Sequence, residues 1–171
     1  MLTEEYYMTG NAPAMATPPA IQEVPETETL DTRFGKITVN RKNPITFPNG
    51  MLGVPDRFLF CLTSFPSEKL ARFKLLQSLD EAELSFIMLP IEIDNPIIAR
   101  DDIEIACREL EMPIESLALL LVVTVNRQEG EAKLSVNARA PVMMNAANRQ
   151  AAQYVFHNPK YLIRQPISLQ E

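Results

Sequence analysis

The chain has a single histidine, His157, set between Phe156 and the turn-forming pair Asn158-Pro159. One histidine excludes metal sites built from several imidazoles, and it leaves any histidine-based triad resting on a turn residue. No serine stands in a Gly-x-Ser-x-Gly elbow, and neither Cys61 nor Cys107 has a Cys-x-x-Cys partner. Five glycines in all leave little backbone for a phosphate-cradling loop. Carboxylates do occur in groups: Asp80 with Glu81 and Glu83, and Asp101 with Asp102. Hydrolysis by paired carboxylates needs them facing each other across a cleft. Here one group falls in a predicted connection and the other at a predicted helix start, which suits solvated turn and capping roles. The expectation is a protein that binds, with no enzymatic step, no metal site and no cofactor.

What it binds is constrained by charge. The 171 residues carry a net charge of −6, unevenly placed. Residues 1–30 hold five carboxylates and no base, 31–79 three acids and eight bases, 80–131 thirteen acids and three bases, and 132–171 five bases and one acid. A nucleic-acid binder usually carries a dense basic stripe and a high pI; the pI here is near 4.9. No direct nucleic-acid binding is expected, although Arg33-Phe34-Lys36 and Arg57-Phe58-Phe60 have the aromatic–basic interleaving that single-strand binders use. In that alternative the chain is a β-barrel for RNA or a small ligand. Phe58 and Phe60 suit a core better, because their strand neighbours are also apolar. The acidic N-terminus is unlike a signal peptide. The longest apolar run, residues 117–125, is broken by Thr124 and is far short of the ~20 residues of a spanning helix. No membrane association is expected. Cys61 and Cys107, in apolar contexts, read as free buried thiols of a cytoplasmic protein.

The elements follow from periodicity and punctuation. Residues 1–30, rich in Pro, Ala, Thr and Glu without any period, predict a disordered acidic leader, and residues 31–171 a single domain. Gly35 to Asn40 alternates as a half-buried strand, and Ile45 to Phe47 is a short strand stopped by Pro48. Phe58–Leu62, Phe73–Ser78 and Leu84–Leu89 follow as strands. A helix of about three turns is predicted over 102–111, capped by Asp101 or Asp102. Its apolar stripe is Ile103, Ala106, Cys107 and Leu110, its outer ion pair Glu104 with Arg108, and its stop Pro113. Residues 117–125 predict the central strand. Then come Lys133–Arg139, Val142–Met144, Gln150–Phe156 and Tyr161–Arg164. About nine short strands at this spacing, with one helix, predict a mainly β fold, an antiparallel barrel-like or sandwich domain.

Three blocks of this map resemble the flagellar assembly factor FliW family, in order. The first is Thr32-Arg33-Phe34-Gly35-x-Ile37-x-Val39 with Ile45-x-Phe47-Pro48-x-Gly50-x-x-Gly53. The second is Phe73-x-x-Leu76-Gln77-Ser78 with Leu84-x-Phe86. The third is Asn137-x-x-Ala140-Pro141, Asn145, Arg149 and Gln153, closed by Arg164-x-Pro166. Val54 and Ala138 depart from the family's larger side chains, and no family role falls on the leader. The resemblance implies a non-enzymatic regulator that needs no cofactor. Such proteins bind the carbon storage regulator CsrA, relieving its repression of flagellin translation, and bind flagellin as a partner switch or chaperone.

Two surfaces are expected to serve these partners. CsrA has to present cationic surface to RNA phosphates. The acidic stretch Asp80, Glu81, Glu83, Glu92, Asp94, Asp101, Asp102 and Glu104 would complement it, or is simply solvated. Amphipathic helical ends of flagellin call for an apolar groove. Asn137, Arg139, Met143, Asn145 and Tyr161, read as exposed alternates of the C-terminal strands, together with Arg164, are the candidates there. At least one of Met143 and Met144 is expected in the core.

Overall fold

A computed structural model describes residues 26–168 apart from residues 66, 129 and 130. It contains eleven strands and one α-helix, in the order β1 (Thr27–Thr32), β2 (Gly35–Asn40), β3 (Ile45–Thr46), β4 (Leu59–Ser64), β5 (Lys74–Ser78), β6 (Ser85–Ile91), α1 (Arg100–Glu109), β7 (Leu117–Gln128), β8 (Glu131–Val136), β9 (Val142–Asn145), β10 (Gln150–Gln153) and β11 (Gln165–Ile167). The mainly β, barrel-like expectation holds. Strands β3, β4, β5, β6, β7, β9 and β10 close into a seven-stranded barrel. Every pairing is antiparallel except the closing one, where Gln150 of β10 meets Thr46 of β3 in parallel.

Strand β7 is the centre, as expected. Its first half pairs with β6 on one side and β9 on the other, and its second half leaves the barrel to pair with β8, which carries β11 at the edge. This explains its apolar run from Leu117 to Val123. Leu120 points into the barrel with Phe47, Phe60, Leu76, Met88, Val142 and Met144. Leu119, Leu121 and Val123 point outward into a second core with Ile103, Ala106, Cys107, Val136, Met143 and Phe156. A strand covered on both faces has no polar positions to alternate with. The β1–β2 hairpin covers the barrel elsewhere, sealing Ile37 and Val39 onto Cys61, Leu75 and Leu79. Both cysteines are buried and free.

Several boundaries differ from the sequence reading. Strand β1 starts at Thr27, so the folded part begins inside the stretch assigned to the leader; residues 1–25 of that leader lie outside the described residues. Register explains the miss: Thr27 to Thr32 is polar, and it is held by pairing with residues 35–40 rather than by its own apolar period. The helix runs Arg100–Glu109 with Ala99 at the N-cap and no side-chain cap, so neither Asp101 nor Asp102 caps it. It stops where Glu111 takes φ 53°, two residues before Pro113. Arg100, not Arg108, pairs with Glu104. Tyr161 to Arg164 is a turn, and the strand follows at Gln165.

Candidate functional site

The first group of candidates is gathered where α1 meets the segment after β10. Asp102 was expected to cap the helix, but its carboxylate accepts from Lys160 Nζ at 2.7 Å and from the Tyr161 hydroxyl. These two bonds, Lys160's first, hold the Asp102 carboxyl below its usual range. The same Tyr161 oxygen accepts the Ala99 N–H at 3.1 Å, so one phenol joins the start of α1 to the C-terminal segment. One helical turn and more away, the Tyr154 hydroxyl donates to Glu109 Oε2 at 2.7 Å, which pushes the phenol up to about 12. Arg100 bridges Glu104 and Asp94, both at 2.9 Å. Asp101 is exposed, and Glu104 is half-buried.

The C-terminal candidates have mostly internal duties. Tyr161, expected on an exposed strand face, is only 3 % exposed, and Met143 is fully buried with Met144 nearly so. The reason is the second core: the outer face of the barrel on this side is covered by α1 and the 154–164 segment. Asn137 Oδ1 accepts the Ala140 N–H at 3.0 Å, and Arg139 Nε donates to the Tyr161 carbonyl at 3.0 Å. Asn145 Oδ1 accepts the Ala147 N–H at 2.9 Å, turning the chain from β9 toward β10. These half-buried polar groups brace loops. Arg164 is exposed. Around it lie exposed apolar side chains, Val155, Leu162 and Ile163. Their segments are tied together through Arg139, whose carbonyl accepts the Phe156 N–H and whose N–H donates to the Leu162 carbonyl.

A third region was not legible as a site. Phe58, assigned to the core, is 44 % exposed, because β4 begins only at Leu59 and its inward position is taken by Phe60. Next to it stands the 79–84 connection. The Leu79 N–H donates to the Leu59 carbonyl at 2.9 Å, and Arg57 Nε meets Glu81 Oε2 at 3.0 Å. Fully buried Gln77 aims its amide nitrogen at the carbonyls of Ser78, Glu81, Ala82 and Leu84, all within 3.1 Å. Ser78 Oγ accepts the N–H groups of Asp80 and Glu81. The loop thus closes around one side chain. The Gln-Ser pair before an acidic connection was the available signal, though only packing shows what the glutamine holds.

Among the described residues no three His, Cys, Asp or Glu side chains are grouped to hold a metal ion, and no helix is long and apolar enough to cross a membrane. Residues 28–167 match the family model described as FliW protein, a match that begins inside β1 and so includes part of the stretch assigned to the leader. A flagellar assembly factor FliW from Geotalea uraniireducens is 33% identical over 136 residues, covering 79% of this chain and 80% of that one. One from Thermoanaerobacter pseudethanolicus is 29% identical over 134 residues, covering 78% and 88%. A crystal structure of the flagellar assembly factor FliW superposes with a TM-score of 0.60 at 22% identity, over 83% of this chain and 96% of that one, so the fold is shared.

Proposed function

The chain belongs to the FliW family of flagellar assembly factors, and from that premise we propose that it serves flagellum assembly as a non-enzymatic, cytoplasmic regulator. It binds the translational repressor CsrA, relieving repression of flagellin synthesis, and it binds flagellin as a partner switch or chaperone. It uses no cofactor.

The observation that carries this reading is the excess of exposed carboxylates over residues 80–115. Asp80, Glu81, Glu83, Glu92, Asp94, Asp101, Glu109, Glu111 and Glu115 are all exposed there, against Arg100 and Arg108. A protein that binds RNA presents cationic surface to phosphates, and exposed carboxylates meet that surface while repelling nucleic acid. Such complementarity raises association rate and sets register more than it adds affinity. For flagellin, Val155, Leu162 and Ile163 supply exposed apolar surface of the kind an amphipathic helix needs.

Co-elution of the pure chain with pure CsrA, and separately with flagellin, on a sizing column tests the reading. Both complexes are expected. Reversing Asp80 and Glu83 to Lys should weaken the CsrA complex about tenfold or more at low ionic strength, with a difference that shrinks as salt screens it. Elution of all three proteins apart at micromolar concentrations would end the proposal.

A further inference from the structure

An exposed aromatic side chain beside a braced loop, with carboxylates in the adjoining segments, has the make-up of an anchor for a basic protein. Phe58 and Leu59 are 44 % and 37 % exposed at the start of β4. The Leu79 to Leu59 hydrogen bond sets the 79–84 connection directly beside them. Asp56, Asp80 and Glu83 are exposed in the adjoining segments, Arg57 is engaged by Glu81, and Arg33 donates to the Ser85 carbonyl just beyond the connection. Apolar surface rimmed by charge marks protein contact sites, and aromatic anchors within such a rim carry a large share of binding energy.

The other large exposed apolar pair, Leu162 and Ile163, is flanked by Lys160 and Arg164, so its rim has the opposite sign. Among the described residues, only the Phe58 patch combines an exposed aromatic side chain with neighbouring exposed carboxylates. Nor is the loop free to fold over it. The two Gln77 amide N–H groups are shared among the carbonyls of Ser78, Glu81, Ala82 and Leu84, and the Ser78 hydroxyl accepts two N–H groups of the connection. A loop held in this way presents its carboxylates in one geometry, which lowers the ordering cost of association.

We infer that Phe58, with Asp56, Asp80 and Glu83 in the adjoining segments, forms the anchoring part of a docking surface for a basic protein bearing an apolar slot between its cations. The inference rests on the function proposed above, in which that partner is CsrA. The same carboxylates disfavour a nucleic acid, and they disfavour a second copy of this chain at this patch through like charge.

The chain has no tryptophan, so Phe58→Trp installs a single indole reporter at the patch. Titration with CsrA should shift its emission to the blue as the ring is covered. Phe58→Ala should weaken CsrA binding by about tenfold or more, whereas Val125→Ser, at an exposed apolar position of β7, should leave it unchanged. Circular dichroism checks that each variant is folded, and the exposure of Phe58 makes that the expected result. If the parent chain binds CsrA while Phe58→Ala binds equally well and the indole emission does not move, this inference falls and the proposed function stands. If the parent chain binds no CsrA, both fall. Self-association of the parent that Phe58→Ala abolishes would assign the patch to a second copy and overturn the inference.

Discussion

At the scale of single residues, Tyr161, expected on an exposed strand face, is instead covered and joins two distant segments. Its polar end does three things at the junction of α1 with the C-terminal segment: it donates to Asp102, accepts from Ala99, and lies with its ring under the Lys160 ammonium at 4.8 Å. Replacing it by Phe removes the hydroxyl and leaves packing intact. The expected cost is about 1–2 kcal/mol of unfolding free energy. The pH dependence has a definite sign. The Asp102 carboxyl is depressed in the fold below its ordinary 3.8, so the stabilisation is present at neutral pH and is lost as pH falls through the folded-state value. Urea denaturation of Tyr161→Phe and the parent at pH 7, 5 and 3 should show a gap that is steady from 7 to 5 and narrows toward 3. A gap indifferent to pH would mean that the hydroxyl does not act through the carboxylate.

At the scale of elements, the glycines separate two demands that sequence alone merges. Gly35 and Gly50 both hold positive φ, at 92° and 66°, as turn positions that disfavour a Cβ. They differ in surroundings. A Cβ on Gly35 meets nothing within 4 Å, while one on Gly50 lies 2.3 Å from the Pro55 carbonyl oxygen. Gly35→Ala should therefore cost about 1–2 kcal/mol, the backbone term alone. Gly50→Ala should cost about 3 kcal/mol or more, since the Pro55 backbone has to move as well. Thermal or chemical denaturation of the two variants checks the order, and equal losses would contradict it. The helix offers the complementary lesson. Its apolar stripe was plain from spacing, but its start was not, because Asp102 is drawn to Lys160 and Tyr161, partners 58 and 59 positions away in the chain.

At the scale of the whole molecule, adjacent residues on one strand serve separate cores. Leu120 packs inside the barrel, and Leu121 packs outside it against α1 and β8. Each Leu→Ala change should cost about 2–5 kcal/mol. Because the two cavities lie in different clusters, the double variant should lose the sum to within about 0.5 kcal/mol. Val123 and Val136 are cross-strand partners within one cluster, and their double alanine variant should depart from the sum. Strong coupling between Leu120 and Leu121 would mean that the two cores act as one.

The mainly β fold class, the helix stripe, the central strand, the family resemblance and the uneven charge were all legible in the amino-acid order, because they depend on residue type and local spacing. Tertiary structure alone decided that β1 extends the folded part into the supposed leader, that Tyr161 is covered while Phe58 is open, and that Gln77 holds the acidic connection. Those outcomes depend on which distant segment covers a face or completes a hydrogen bond, and no local period records that.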